Sequence, residues 1–172
     1  MIDGNRPRRR NSLRYPGFDY TQPVCVFVTL CTHHRQRLFG HISDAEMVSS
    51  PAGVHAADLW HRLSDRFPSM IVDTFVMMPD HLHSIVFLGA NPEARSNAPS
   101  LSDLVKWYKV TVQSAYSANV RAGAWTPYRS HLWQRGYHDR IIRSDHELDD
   151  IRRYIEANPA RWQARQDGDS WP

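Results

Sequence analysis

The stretch MIVDTFVMMPDHLHSIVFL, residues 70–88, contains two apolar runs separated only by Pro79 and Asp80. β-Branched and aromatic residues favour strands, and both runs are rich in them. Proline cannot donate to a ladder of backbone hydrogen bonds, so it marks the break between the runs. Since strands joined by so short a break pair with each other, the sequence predicts an antiparallel hairpin made of Met70–Met78 and His81–Leu88.

The segments on either side of this hairpin supply the remaining elements. Val24–Thr32 is a nearly continuous apolar run, which is typical of a central strand buried on both faces. The other predicted elements are a helix that begins at Pro51 and ends before Pro68, a long helix at 101–120, a strand within 132–142 that is broken near Gly136, and a last helix that starts at Ser144 and is closed by Pro159.

These elements follow one another in the order β-α-β-β-α-β-α. The first six match the ferredoxin-like split β-α-β arrangement, in which helices cover one face of an antiparallel sheet. We therefore predict an α+β fold with a ferredoxin-like split β-α-β antiparallel sheet and an added C-terminal helix, which needs a surface of its own to cover. Because RNA binders, metal-binding modules and enzymes share this plan, the function has to be argued from individual residues.

The composition is that of one globular domain: of 172 residues, 41% are hydrophobic and 23% are charged. No apolar run reaches the roughly 20 residues of a membrane span. The basic N-terminus lacks the apolar segment of a secretory signal, so we expect a cytoplasmic protein that makes no membrane contact. Cys25 and Cys31 lie on one extended run, too far apart for a disulfide bond, and are expected to be buried free thiols.

The basic residues are nearly all arginine, and many lie near the N-terminus. Of the 21 lysines and arginines, only Lys106 and Lys109 are lysines. A GC-rich genome would also favour arginine, so the position of the charge is more informative than its amount. Arginines and prolines crowd the start of the chain, which predicts an extended arm of the kind that binds nucleic acid. We therefore divide the chain into a basic arm at 1–20, one domain at 21–158 and a C-terminal tail at 159–172.

His81 and His83 stand on either side of Leu82 at the start of a predicted strand. Side chains alternate along a strand, so both imidazoles lie on one face at a spacing that suits a single divalent ion. A pair of half-exposed histidines without a ligand would show the same spacing. The pattern alone leaves both interpretations open.

The apolar stripe of Leu148, Ile151 and Ile155 marks the buried face of the last helix. Tyr154 and Asn158 lie one turn apart on the flank of this stripe, where they could face the histidine pair. The tyrosine oxygen would then be a nucleophile, and the asparagine oxygen a third metal ligand. A packing tyrosine and a capping asparagine would have the same spacing, so neither role follows from it.

Three longer segments resemble, in the same order, the single-tyrosine transposases with an HUH motif, where U is a hydrophobic residue. The segments are VFVTLCTHHRQRLFG (26–40), FVMMPDHLHSIV (75–86) and LWQRGYHDRIIRSDHELDDIRRYIEANP (132–159). The resemblance is closest to the REP-associated tyrosine transposases, which also begin with an arginine-rich segment and a tyrosine-containing linker. In this chain that segment is RPRRRNSLRYPGFDY (6–20).

This resemblance implies an enzyme that cleaves single-stranded DNA at hairpin sequences and joins the strands again. The added helix would be the nucleophile helix, on which Tyr154 forms a 5′-phosphotyrosyl bond. The implied cofactor is Mg²⁺ or Mn²⁺, held by His81, His83 and Asn158. The implied partner is single-stranded DNA with a hairpin, bound by a monomer or a homodimer.

Two positions depart from the pattern of the family. Asp80 stands where the family often has asparagine before the first histidine, and Tyr137-His138 stands where it often has two aromatic residues. Tyr137 is therefore the main rival of Tyr154 as the nucleophile. We prefer Tyr154 because the matching Asn158 follows it by one turn.

Basic and aromatic side chains elsewhere suggest a path for DNA. Trp107, Tyr108 and Trp133 are of the types that stack on bases, although aromatic residues at helix spacing more often belong to a core. The candidate phosphate contacts are Arg8, Arg9, Arg10, Arg14, Arg35, Arg37, Lys106, Lys109, Arg140, Arg143, Arg152 and Arg153.

Two other classes of function are compatible with the sequence. A nucleic-acid-binding protein on the same fold would keep the arm and the basic surface but form no covalent bond with DNA. A metal-dependent hydrolase would use the histidine pair with water, and it would need a carboxylate near the metal. Asp80 and Asp139 are available for that role.

Overall fold

The structure is a computed structural model of the chain, and it describes residues 24–91, 93 and 99–168. The predicted basic arm, with Arg8, Arg9, Arg10 and Arg14, lies outside the described residues. In chain order, the elements are β1 (Val24–Cys31), β2 (Gly40–Ser43), β3 (Glu46–Ser49), α1 (Pro51–His61), α2 (Leu63–Arg66), β4 (Met70–Met78), β5 (His81–Leu88), α3 (Leu101–Arg121), β6 (His138–Ile142), α4 (Asp145–Glu156) and α5 (Asn158–Gln166).

An antiparallel sheet with the strand order β4-β5-β1-β6 forms the centre of the described chain. The central strands β1 and β5 pair along their whole length, from Val24 opposite Leu88 to Cys31 opposite His81. β4 and β5 form the predicted hairpin, and β6 pairs with the free side of β1. This is the strand order of the ferredoxin-like split β-α-β arrangement, so the predicted fold class is confirmed.

One face of the sheet is covered by α1 and α3. Alternate side chains of β1, namely Val26, Val28 and Leu30, point to this side and are fully buried. They belong to the larger core, together with Trp60 of α1 and Tyr108 of α3. Because side chains alternate, the residues between them in β1 point to the opposite face of the sheet.

The opposite face is covered by α4. Ile85 of β5 and Ile142 of β6 form a smaller core with Ile151 and Ile155 of α4. The predicted apolar stripe of the last helix is thus confirmed. The added helix covers the face that the split β-α-β unit leaves open.

A second hairpin, formed by β2 and β3, is absent from the sequence prediction. Asp44 and Ala45 form its turn with φ angles of 53° and 61°, both in the left-handed region. Such turns usually contain Asn-Gly or Asp-Gly, because glycine adopts positive φ without strain. Alanine in that position removes the usual signal, and the hairpin is recognised only in the structure.

The helical structure also continues beyond Pro159, which the sequence analysis took as the end of the last helix. α4 ends at Glu156, and α5 begins at Asn158 with the proline in its first turn. A first turn leaves its N–H groups unpaired, so proline begins a helix as readily as it ends one. Gln163 of α5 accepts a hydrogen bond from the backbone N–H of Ala45 (2.8 Å), which ties α5 to the β2–β3 turn.

Smaller features agree with the sequence or refine it. The predicted helix at 51–66 is divided at Arg62 into α1 and α2. Both cysteines are free, but only Cys31 is buried, and Cys25 is half-buried. Tyr108 and Trp133 are buried in the larger core, so their aromatic rings are not open to DNA bases. Within the described ranges, no helix is both long and apolar enough to cross a membrane.

Candidate active site

A cavity of about 210 Å³ lies between the sheet and the two C-terminal helices. The side chains that were predicted to hold a metal and to attack DNA meet here, although they come from β5, α4 and α5. The lining residues are Arg35, His81, His83, Tyr154, Asn158, Trp162 and Arg165.

His81 is held in a fixed orientation by the residue before it. Its side chain is buried, and its Nδ1 lies 2.6 Å from Oδ1 of Asp80. A carboxylate oxygen only accepts hydrogen bonds, so Nδ1 carries the proton and donates it. The other ring nitrogen, Nε2, is then the atom that a ligand could contact.

Asp80, the residue that departs from the family pattern, is 4% exposed. Its second carboxylate oxygen lies 3.0 Å from Nε of Arg35, so the negative charge is balanced on both sides. Its backbone carbonyl accepts hydrogen bonds from the N–H and the hydroxyl of Thr32, which fixes the turn that carries it. The carboxylate therefore orients an imidazole and is not free to activate water.

His83 lies beside His81, with the ring centroids 4.5 Å apart. Its Nδ1 is 2.8 Å from the Thr29 hydroxyl, and its Nε2 is 3.4 Å from the Tyr154 hydroxyl. Burial, followed by the nearby charges of His81 and Arg35, lowers the pKa of His83 to about 3. The ring is therefore neutral at physiological pH and keeps a lone pair.

Tyr154 reaches the cavity from the flank of α4, as the sequence predicted. Its ring meets His83 edge to face at 5.4 Å and Phe27 at 6.1 Å. The guanidinium of Arg161 lies over the same ring, 5.3 Å from its centre. These contacts hold the ring in place while its hydroxyl points towards the imidazole of His83.

Asn158 completes the set of possible metal ligands. Its side chain is 5% exposed, and its amide nitrogen has no hydrogen-bond partner among the described residues. In the same part of the chain, no group of three His, Cys, Asp or Glu side chains is placed to hold a metal, so a site with three protein ligands would need another residue type beside the two histidines. Its amide oxygen, at the same cavity as the two imidazoles, is a hard ligand of the type that a divalent cation accepts.

Trp162 and Arg165 of α5 were not predicted as site residues. Trp162 stacks on His81 with the ring centroids 5.8 Å apart, and the guanidinium of Arg37 lies 5.5 Å from the indole ring. Both residues follow Asn158 at helical spacing, four and seven positions on. That spacing is a usable signal only if the helix is allowed to continue through Pro159.

Tyr137, the rival nucleophile, lies on the other side of the sheet. Its hydroxyl bonds to Ser102 of α3 at 2.8 Å, and its ring packs against the larger core. Asp139 is paired with Val28, whose side chain belongs to the same core, so its carboxylate also points away from the cavity. Of the two carboxylates proposed for a hydrolase, Asp80 is therefore engaged, and Asp139 does not line the cavity that contains the histidine pair.

The predicted phosphate contacts are placed differently from one another. Arg35 lines the cavity, Arg37 lies beside Trp162, and Lys106 and Arg143 are exposed. In contrast, other predicted contacts are engaged within the chain. Lys109 donates to the carbonyls of Gln134 and Gly136. Three arginines form ion pairs with acidic side chains: Arg140 with Glu147, Arg152 with Asp73, and Arg153 with Asp150.

Comparisons with known proteins identify relatives of the chain and a similar fold. A model of the IS200-like transposase family matches residues 26–158. An uncharacterised protein of Haemophilus influenzae is 31% identical over 165 residues, which cover 91% of this chain and 92% of that protein. The fold is similar to a solved structure of a REP-associated tyrosine transposase bound to a REP hairpin, with a TM-score of 0.56 at 16% identity over 80% of this chain and 67% of the other.

Proposed function

The chain belongs to the IS200-like transposase family, and we propose that it cuts and rejoins single-stranded DNA beside a hairpin through a covalent bond to Tyr154. The observation that carries this proposal is the meeting of Tyr154, His81, His83 and Asn158 around one cavity. Segments far apart in the sequence contribute these side chains. None of the four belongs to the larger core, so the packing of that core does not explain why they lie together.

The proposed reaction exchanges one phosphodiester for another. The Tyr154 oxygen attacks the phosphorus, its proton is lost, and the bond to the 3′ oxygen breaks. The products are a 5′-phosphotyrosyl bond and a free 3′ hydroxyl. Attack by a 3′ hydroxyl on the phosphotyrosyl bond then restores a DNA phosphodiester and returns the oxygen to the tyrosine, so no nucleotide cofactor is consumed.

The histidine pair and Asn158 would hold Mg²⁺ or Mn²⁺. When bound, such an ion polarises the scissile phosphate and offsets the charge that develops during attack. The protein itself prepares the two imidazoles, because Asp80 and Thr29 bind the Nδ1 atoms and leave the Nε2 atoms for the ligand.

Arg35 and Arg165 line the same cavity and would bind the phosphate. Guanidinium groups donate in pairs to phosphate oxygens, which fixes the orientation of the phosphate as well as its position. Arg35 is itself oriented by its ion pair with Asp80. The phosphate would therefore be presented to Tyr154 by groups that are already in place.

A hairpin as part of the substrate is supported by two independent features. The solved structure with a similar fold is that of a transposase bound to a REP hairpin. In addition, the arginine-rich segment at 6–20 precedes the domain and is suited to backbone phosphates. We therefore expect the single-stranded target to carry a hairpin that the arm and the basic surface bind.

The test is to incubate the protein and Mn²⁺ with single strands that carry hairpins, and to look for a protein–DNA adduct on a denaturing gel. Wild type should give the adduct, and Tyr154→Phe should give none. The free energy of unfolding should change by less than about 1 kcal/mol, because the ring keeps its packing. Tyr137→Phe is the matched control and should form the adduct at the wild-type level.

Two outcomes would contradict the proposal. An adduct that persists in Tyr154→Phe and disappears in Tyr137→Phe would move the nucleophile to the other face of the sheet. Binding of hairpins without any adduct from wild type would favour a nucleic-acid-binding protein that has lost turnover.

A further inference from the structure

A second cavity, of about 340 Å³, lies on the other side of the Tyr154 ring. It is a cleft between α4 and β6, and β6 is an edge strand of the sheet. Because Tyr154 lines both cavities, the hydroxyl that lies near His83 belongs to a ring that also forms a wall of this cleft. The two cavities are therefore neighbours across the proposed nucleophile.

The pairing of β1 with β6 determines which side chains line the cleft. Phe27 is opposite Arg140, and Thr29 is opposite His138. Residues directly opposite in an antiparallel pair point to the same face. Since Phe27 belongs to the smaller core under α4, all four side chains lie on the α4 side of the sheet.

The cleft has apolar, aromatic walls and a polar rim. Phe27, Ile151 and Tyr154 form the walls, and Thr29 and Asp139 complete the lining together with two residues at the rim. His138 and Arg140 lie at the exposed edge, where the guanidinium of Arg140 is held by Glu147 at 2.5 Å. A flat aromatic ligand with polar edges, joined to a phosphate, matches this distribution of apolar and polar groups.

We propose that this cleft holds one unpaired nucleobase of the DNA strand, namely a base that flanks the phosphate attacked by Tyr154. This proposal rests on the proposed function, because it takes the phosphate to lie in the first cavity. A strand whose phosphate reaches the Tyr154 hydroxyl has its flanking bases within a few ångströms of the ring. The cleft lies beside that ring and opens at the sheet edge, where a strand can leave.

The volume and the walls favour a base over other occupants. The cavity is at the lower end of the ~300–1,000 Å³ typical of small-ligand sites, which suits one ring system and no larger group. Aromatic side chains stack on any base, so such a site fixes the strand without requiring a particular sequence. The donors of Arg140 at the rim would add a preference for bases with acceptors at their edges.

The cut bond is located first. Wild type and Mn²⁺ are mixed with a pool of hairpin-bearing single strands that have a randomised flank, and the strands captured as covalent adducts are sequenced. Strands with a single abasic site at each position around that bond are then compared with the intact strand. One abasic site beside the cut phosphate should lower the cleavage rate at subsaturating DNA by roughly 5- to 100-fold.

The protein variants show whether that loss arises in the cleft. In Phe27→Ala, and in the milder Phe27→Leu, the rate on the intact strand should itself fall, because the ring also contacts Tyr154 and His83. Within each variant, the same abasic site should cost little or nothing further, since the wall that meets the base has already been removed. Phe87→Ala is the matched control, because Phe87 packs in the same smaller core but does not line the cleft. This variant should keep the full sensitivity to the abasic site.

The outcomes separate the base site from the proposed function. If wild type cuts strands with abasic sites on either side of the bond as fast as the intact strand, the base site is wrong and the strand-cleaving function stands. Equal sensitivity in wild type and both Phe27 variants would also overturn the base site. If no strand of the pool forms an adduct, the proposed function fails, and the base site fails with it.

Discussion

A single carboxylate determines how the first histidine of the pair is presented. Asp80 lies between the imidazole of His81 and the guanidinium of Arg35, and it is almost completely buried. Carboxylates in this position fix the tautomer and raise the basicity of a metal-binding histidine. The same carboxylate holds Arg35, which lines the cavity, so one residue orients both a proposed metal ligand and a proposed phosphate contact.

We predict that Asp80→Asn weakens Mn²⁺ binding by about 10- to 100-fold, the usual cost of losing such a partner. The amide has nearly the same shape, but it carries no charge to hold the imidazole and Arg35. Isothermal titration of the protein with Mn²⁺ measures the affinity without DNA. Asp139→Asn makes the same change on the other face of the sheet and should leave the affinity for Mn²⁺ unaltered. If the two variants bind Mn²⁺ equally well, Asp80 does not position His81 for the metal.

At the scale of elements, α4 has to be fixed on the sheet for Tyr154 to face His83. Arg152 of α4 forms two hydrogen bonds with Asp73 of β4, at 2.9 and 2.8 Å. Asp73 lies where the pairing of β4 with β5 shifts register, and such irregularities re-aim side chains. This contact joins two residues that are 79 positions apart in the sequence and ties α4, which carries Tyr154, to β4.

We predict that Asp73→Asn destabilises the fold by about 1 kcal/mol near neutral pH, the upper range for a partly exposed ion pair. The hydrogen bond from Arg152 lowers the pKa of Asp73 in the folded state. The contribution is therefore present above the ordinary aspartate pKa of ~3.9 and is lost as the pH falls through the lower, folded value. Urea unfolding should show a difference in the free energy of unfolding between wild type and variant, and this difference should disappear in acid.

Asp149→Asn is the control for that prediction. Asp149 meets Arg152 through a single hydrogen bond of 3.1 Å and is largely exposed. Its replacement should lower the free energy of unfolding by less than that of Asp73. If the difference in the free energy of unfolding between wild type and Asp73→Asn is the same at neutral pH and in acid, the ion pair contributes no stability.

Elements with strong local signals were predictable from the sequence, and those that depend on distant contacts were not. Ser144 caps α4, with its hydroxyl accepting from the N–H of Glu147, as the spacing of the two residues predicted. The β2–β3 hairpin has Ala45 where glycine is usual, and it is held from outside by Gln163 of α5. Pro159 reads equally as the end of one helix or the start of the next.

At the scale of the whole molecule, the candidate site combines predictable positions with unpredictable neighbours. Spacing alone placed His81 with His83, and Tyr154 with Asn158, on shared faces. That the two pairs meet depends on how α4 lies across the sheet, which rests on contacts between distant residues. The second cavity depends on the register that places Phe27 opposite Arg140. The register between β1 and β6 cannot be predicted from the sequence of either strand alone.

Binding of DNA by the whole molecule should depend strongly on the arginine-rich segment at 6–20, which lies outside the described residues. The cavity at Tyr154 is too small to bind more than the reacting part of a strand. Most of the affinity for a hairpin must then come from phosphate contacts elsewhere, and several basic side chains of the domain are already engaged in ion pairs. The arginine-rich segment concentrates positive charge in a short stretch of sequence, which suits it to that role.

We therefore predict that replacing Arg8, Arg9, Arg10 and Arg14 by alanine weakens hairpin binding and flattens its dependence on salt. Each arginine–phosphate pair that the substitutions remove should reduce the slope of log K against log salt concentration by about 0.7 to 0.9, because fewer counterions are released. Fluorescence anisotropy with a labelled hairpin at several salt concentrations measures both quantities. The control removes three charges from exposed positions that do not line the cavity, namely Arg62, Arg66 and Arg121, and its effect is compared per charge removed. It should change the slope little, and an arm variant with the affinity and slope of wild type would show that the arm does not bind DNA.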